Sequence, residues 1–248
     1  MIECAVWWAT PLDDIERFRS WLTRAEAERF AAYRQEADRR RFLTGRVLAK
    51  SVLAERLGLP SGAIELDASC PDCAKQHGPP RLPGFDVALS ISHSGDRIGL
   101  AVTNGCPVGL DVESTARRAD DALAAYALNE TELAELGELP EQRRDGAFFT
   151  YWTRKEALMK ATGRGLRIAL RGITLSPPGE PARLVSATDE ALRPQGAKLA
   201  DLDPGDGYSA AVAMLDAPAH ERLTVRERWW DLGSGLQPHR AQQGYELG

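Results

Sequence analysis

No run of eighteen apolar residues occurs in this 248-residue sequence, which argues against a membrane-spanning helix. The opening stretch, MIECAVWWATPLDDIERF, has no basic segment ahead of its short apolar run, so no secretory leader is predicted and a soluble, cytoplasmic protein is expected. Cysteine is scarce. Cys4, Cys70, Cys73 and Cys106 are too few for a disulfide scaffold in a chain of this size and read as mostly reduced thiols. A dominant charge of one sign is also missing: the net charge is −5 with both signs interspersed, which argues against a general nucleic-acid or anionic-membrane partner. Neither GxxxxGK[ST] nor GxGxxG occurs, so the usual P-loop and kinase glycine-loop routes to phosphate binding are excluded. There is no solenoid period and no low-complexity tract.

What is present suits a globular α+β protein. A hydrophobic share of 43% is enough for one large domain or two of ordinary size. ECAVWWA predicts a first strand, and Ile15, Phe18 and Leu22 mark one face of a helix. Thr23 followed by Glu26 is a capping-box signal for the next helix. A long helix is predicted over Glu36 to Leu57, ended by Gly58 and Pro60. The proline- and glycine-rich SCPDCAKQHGPPRLPG must be a loop. DVALSIS alternates Val87, Leu89 and Ile91 with Ala88, Ser90 and Ser92, the period of a half-buried strand. RIGLAVTNGCPVGLDVE predicts two strands joined as a hairpin near Asn104-Gly105. Helical stretches follow over roughly 118–137 and 141–162, then short strands at GITLS, YSAAVAM and RLTVRER. This order predicts two similar α/β subdomains, residues 1–106 and 107–248, with the active cleft between them.

Two stretches carry the chemistry. In GLDVE, a strand puts Asp111 and Glu113 on one face about 7 Å apart, with Leu110 and Val112 on the other. Like charges so placed call for a hard cation or a basic partner, although solvated carboxylates at a sheet edge would show the same pattern. In FFTYWTRKEALMKATGRGL, Trp152, Glu156 and Met159 share one helical stripe, so Glu156 points toward the packed side. Lys160, one turn on, is either its surface partner or a cation for the same site.

SISHSGD, GLDVE and WTRKEALMKATGRGL, in that order, resemble the signature blocks of the 4′-phosphopantetheinyl transferases, of the surfactin (Sfp) type. The resemblance covers roughly residues 35–175 and implies a pseudo-twofold fold with the active site between the subdomains. It also implies an enzyme that moves the phosphopantetheine arm of coenzyme A onto a serine of an apo acyl or peptidyl carrier protein, with Mg²⁺ or Mn²⁺, releasing adenosine 3′,5′-bisphosphate. Asp111, Glu113 and Glu156 match the metal-ligand carboxylates, and Glu156, or a water it orients, is also placed to take the serine proton. Lys160 matches the lysine on the pyrophosphate, with Lys155 a second candidate; Ser92 and His93 match the phosphate-contacting turn. HGPPRL resembles the adenine-binding loop at Gly78 and Pro80, but Pro79 stands where the family carries a basic residue, which removes one charged contact. In DRRRFLTGRVLAK, Arg41 or Arg46 is the candidate for the 3′-phosphate. The C-terminal subdomain would then hold the metal carboxylates and the catalytic helix, and the N-terminal one the coenzyme contacts. A monomer is expected, with coenzyme A and carrier domains as partners and neither nucleic acid nor membrane.

Three readings stand beside these. Cys70-x-x-Cys73-x-x-x-His77 has partial zinc spacing, completed by Cys4 or Cys106, or else holds free thiols. Glu132, in NETELAEL, matches a further acidic family position and reads equally as a helix-face glutamate. A different Mg²⁺-dependent phosphotransferase would share the carboxylates, and a non-catalytic carrier-binding module would not need them.

Overall fold

The structure, a computed structural model, describes residues 1–230 apart from 71, 72, 74 and 77, and without the side chain of Leu166. The elements are β1 (Ile2–Ala9), α1 (Arg24–Ala32), α2 (Glu36–Leu57), β2 (Val87–Ser94), β3 (Arg97–Asn104), β4 (Val108–Ser114), α3 (Asp121–Ala127), α4 (Glu130–Glu138), α5 (Glu141–Thr162), β5 (Ile173–Leu175), β6 (Leu184–Ala187), β7 (Lys198–Leu202), β8 (Tyr208–Met214) and β9 (Leu223–Trp229). One sheet has the order β2-β3-β1-β9, a second the order β4-β8-β7, and β5 pairs with β6. All pairings are antiparallel except β1 with β9.

Local signals place the helices. Thr23 caps α1 through a reciprocal box with Glu26, and α2 ends at Gly58, whose φ of 65° suits glycine. The stretch with Ile15, Phe18 and Leu22 is a 3-10 helix over Glu16–Trp21 rather than an α-helix. The helix expected over 118–137 is divided at Leu128 by a second box, Asn129 with Glu132, which starts α4.

Three apolar clusters hold the layers together. Leu43, Val47, Leu48 and Leu53 of α2 pack on Ile98, Leu100 and Val102 of β3. Ala157, Leu158 and Ala161 of α5 pack on Ala211 and Ala213 of β8. Between the sheets lie Val6, Trp8, Leu110, Val112 and Val212. Each buried Leu, Val or Ile among them contributes about 1.5–3 kcal/mol on burial.

The hairpin expected near Asn104-Gly105 is not formed. Gly105 does turn, at φ 71°, but Pro107 follows, and β3 and β4 leave it for different sheets. The two-residue hairpin is instead β2–β3, where Ser94 pairs with Arg97 across Gly95-Asp96 and Gly95 takes φ 54°. The chain also returns at its end: β9 lies beside β1, so a boundary at residue 106 parts the two larger sheets at every strand but β9.

What joins the sheets at the site is a ladder of serines. β2 and β4 run parallel at a constant offset, and the hydroxyls of Ser90, Ser92 and Ser94 accept hydrogen bonds from the amides of Leu110, Val112 and Ser114 at 3.0, 3.3 and 3.1 Å. An edge strand otherwise leaves such amides without partners. No helix among the described residues is long and apolar enough to cross a membrane.

Candidate active site

The backbone of α5 lies directly on β4. A Cβ built on Gly109 would fall 1.9 Å from the Ala157 carbonyl oxygen and 2.4 Å from the Ala161 amide nitrogen. Only glycine allows that approach. It brings the helix segment carrying Glu156 and Lys160 over the strand carrying Asp111 and Glu113.

Asp111 is buried at 4% exposure, and its environment is unusually polar for that depth. Its Oδ1 accepts from the Lys160 Nζ at 2.7 Å and from the Ser92 hydroxyl at 3.0 Å, and Lys160 also donates to Ser92 at 2.8 Å. Its Oδ2 is buried without a partner. Glu113, half-buried, accepts from the Ser94 hydroxyl at 2.9 Å, with the Arg117 guanidinium 3.8 Å away. Glu156 is half-buried as well.

The electrostatics couple all four groups. Burial, and then the charge of Asp111, push Glu156 above the usual carboxylate range; Lys160 pulls it back and Glu113 adds to the rise. Glu113 is raised in the same way, by burial first and Asp111 second, against Ser94, Arg117 and Lys160. For a carboxylate raised in the folded state, the associated stability is present below its ordinary pKa and is lost as pH rises through the raised value. At neutral pH this face therefore opposes folding until a cation offsets it.

A divalent ion fits that need, and the fit can be judged from the protein alone. Among the described residues no three His, Cys, Asp or Glu side chains are already gathered to hold a metal ion. Asp111 is turned to Lys160 and Ser92, and Glu113 to Ser94. Yet the donor set is all oxygen, Asp111 keeps a buried oxygen without a partner, and Glu113 and Glu156 are both raised by its charge. Hard cations accept such a set.

The remaining candidates divide into those near this cluster and those away from it. His93, on β2 next to Ser92, has its pKa lowered by desolvation first and then by the positive charges of Lys160 and Arg41, so the imidazole is neutral at pH 7. The residue as a whole is nonetheless exposed, so solvent moderates that lowering. Arg41 donates to the Gly95 carbonyl at 3.0 Å and to Asp38 at 2.7 Å, which holds it at the turn just past His93. Gly78 is pinned to the Ala68 carbonyl at 2.7 Å, and a Cβ there would meet the Ser69 carbonyl oxygen at 2.8 Å. Pro79, between Gly78 and Pro80, lies against the end of α5: its Cγ is 3.9 Å from where a Cβ on Gly163 would be.

Three candidates, Lys155, Glu132 and Arg46, lie away from the carboxylates. Lys155 is fully buried and points away from the carboxylates, ion-paired with Glu132 and donating to the carbonyls of Ala127 at 2.9 Å and Leu170 at 3.0 Å. One residue along a helix is a turn of about 100°, so Lys155 and Glu156 cannot share a face. Glu132 is likewise buried; besides Lys155 and its cap it accepts from the Leu175 amide at 3.1 Å, so it is an internal anchor rather than a helix-face glutamate. Arg46 is buried beside Glu26 at 3.4 Å, over the Phe42 ring at 5.0 Å, and does not join Arg41 and His93. Of the zinc candidate, His77 lies outside the described residues, while burial pushes the Cys4 thiol up to about 12, far from thiolate chemistry.

Ser90, Ser94 and Gly109 were not singled out by sequence. Their signals were there: the S-x-S-x-S alternation ending in the histidine turn, and a glycine two residues before the aspartate.

Comparison with known proteins identifies the family. The profile of the 4′-phosphopantetheinyl transferase superfamily matches residues 107–213, which span β4, α5 and β8. The chain is 32% identical over 219 residues to the 4′-phosphopantetheinyl transferase psf-1 of Bacillus pumilus, covering 86% of each protein. It is 30% identical over 217 residues to HetI, a 4′-phosphopantetheinyl transferase of Nostoc sp., covering 84% of this chain and 86% of HetI. With Sfp, a 4′-phosphopantetheinyl transferase of Bacillus subtilis, it shares 25% identity over 207 residues, 83% of this chain and 88% of Sfp. With relatives this similar over most of its length, the chain belongs to the 4′-phosphopantetheinyl transferase superfamily.

Proposed function

We propose that the protein transfers the 4′-phosphopantetheine arm of coenzyme A to a serine hydroxyl of an apo acyl or peptidyl carrier domain, giving the holo carrier and adenosine 3′,5′-bisphosphate. The observation that carries this reading is the Lys160–Asp111 pair where α5 crosses β4, with Glu113 and Glu156 close enough to feel the charge of Asp111.

In the reaction, the carrier serine oxygen forms a bond to the phosphorus bearing the pantetheine arm, and the bond from that phosphorus to the adenosine bisphosphate oxygen breaks. The serine proton goes to a Glu156 carboxylate oxygen, whose basicity is raised by burial and by Asp111. Lys160, held by Ser92 and Asp111, presents its ammonium to the pyrophosphate. His93 donates a ring N–H to a phosphate, and Arg41, held at the Gly95 carbonyl, adds a charged donor. The loop at Gly78 and Pro80 receives the adenine. Asp111, Glu113 and Glu156 would hold Mg²⁺ or Mn²⁺, which when bound supplies Lewis-acid neutralisation of the pyrophosphate oxygens. Residues 1–106 then contribute the coenzyme contacts, and the carboxylates and the catalytic helix come from the later part of the chain. The reading carries with it a monomeric, cytoplasmic enzyme.

The test is to incubate the protein with coenzyme A, Mg²⁺ and a panel of apo carrier domains and read intact masses. Gain of one phosphopantetheine, lost when the carrier serine is changed to alanine, supports the function and names the carriers; no gain on any carrier refutes it.

A further inference from the structure

One polar cluster lies outside the carboxylate site and has no part in the mechanism above. It surrounds the Gly95-Asp96 turn that follows His93. The Tyr208 hydroxyl donates to the Asp96 carboxylate and accepts from the Asp96 amide at 3.0 Å. Arg97 donates to the same carboxylate at 2.8 Å and to the Pro204 carbonyl at 2.7 Å. Its guanidinium lies between two rings, 4.7 Å from that of Tyr208 and 5.2 Å from that of Trp229. Gly95 is pressed against the phenol: a Cβ there would be 2.3 Å from the Tyr208 oxygen.

Tyr208 opens β8 and stands opposite Ser114, while its neighbour Ser209 stands opposite Glu113. The phenol therefore reaches from the strand beside the carboxylates to a turn of the other sheet. The serine ladder stops at Ser94, so it fixes β2 but not the turn beyond it. On its far side the turn is held by Arg41, which donates to the Gly95 carbonyl. Gly95 is thus gripped by Arg41 through its oxygen and by Tyr208 through its α-carbon.

We infer that Tyr208 is a positioning residue: its hydroxyl latches the Gly95-Asp96 turn to the second sheet and so sets where His93 and Arg41 meet the phosphates of coenzyme A. This rests on the transferase reading proposed above. Asp96 and Tyr208 form the latch as one unit, and neither touches substrate. The bonds are at the surface, where a hydroxyl adds little to folding; their effect falls on the geometry of the turn. The carboxylates on β4 and α5 keep their own contacts when the latch opens, so the loss is in coenzyme binding rather than in turnover.

The test uses Tyr208→Phe, Asp96→Asn and the double variant, all of which keep the ring packing around Arg97. KM for coenzyme A is measured at saturating apo carrier, KM for the carrier at saturating coenzyme A, and coenzyme A affinity directly by calorimetry. Each single variant is expected to raise KM and Kd for coenzyme A about tenfold with kcat within about threefold of wild type, and the double variant to be no worse than the worse single. KM for the carrier stays put. Coenzyme A constants within about twofold of wild type in both singles, or purely additive effects, overturn the latch; so does a lowered melting temperature with unchanged constants. Wild-type protein that fails to transfer overturns the transferase reading instead, whereas active wild type with indistinguishable variants overturns the latch alone.

Discussion

Gly109→Ala separates close helix–strand contact from mere proximity as the origin of the site. The new Cβ would sit 1.9 Å from the Ala157 carbonyl oxygen, against the 3.0 Å below which real Cβ contacts essentially never fall. The atom in its way is helix backbone, so α5 must retreat by about 1 Å or β4 must bend. A retreat of about 1 Å stretches the 2.7 Å Lys160–Asp111 bond past hydrogen-bond range. Overpacking of this kind costs about 1–3 kcal/mol, or roughly 2–12 °C of melting temperature for a chain of this size. Misplacing catalytic groups by about 1 Å costs about a hundredfold in rate. Gly146→Ala is the control on the same helix, since a Cβ there meets nothing within 4 Å. Relieving a mid-helix glycine should stabilise by up to about 1 kcal/mol and leave the rate unchanged. Thermal melts and single-turnover transfer followed by intact mass read both effects. A Gly109→Ala protein that melts and turns over like wild type would refute the argument that helix contact builds the site.

Two further outcomes concern the charges. Glu113→Gln, measured in chelator, should raise the melting temperature at pH 7, and the gain should shrink to nothing as pH falls below about 4.3, where Glu113 is neutral in both states; a gain that grows on acidification would contradict its raised pKa. Lys155→Met leaves Glu132 buried without its cation and should cost about 3–5 kcal/mol in chemical denaturation, with Kd for coenzyme A unchanged in the folded protein; weakened coenzyme binding with full stability would return Lys155 to the site.

Much of this was legible in the sequence because it is local. The bounds of α2, the Thr23–Glu26 box and the Val87–Ser92 alternation each depend on neighbours within a few residues. The stripe of Trp152, Glu156 and Met159 was less decisive, since Met159 is buried in the core while Trp152, Glu156 and Lys160 are only half-buried along α5. What escaped was decided by distant partners. Asn104-Gly105 turns as its residues dictate, yet which strands pair afterwards depends on β8, more than a hundred residues on. Lys155 and Arg46 look like free cations until Glu132 and Glu26 arrive from other helices. The division between α3 and α4 was a different miss: Asn129 and Glu132 spell a capping box, and the glutamate was weighed for chemistry instead. The return of β9 to β1 had no local signal at all.

The central claim is that Glu156, desolvated on α5 beside Asp111, takes the proton of the attacking serine. It is tested most directly by comparing wild type with Glu156→Gln in single-turnover transfer to an apo carrier across a magnesium titration. A persistent loss of about 10²- to 10⁴-fold at saturating Mg²⁺ is the expected result. Recovery of the wild-type rate at high Mg²⁺ would make Glu156 a metal ligand only, and near-wild-type turnover throughout the titration would contradict the site itself.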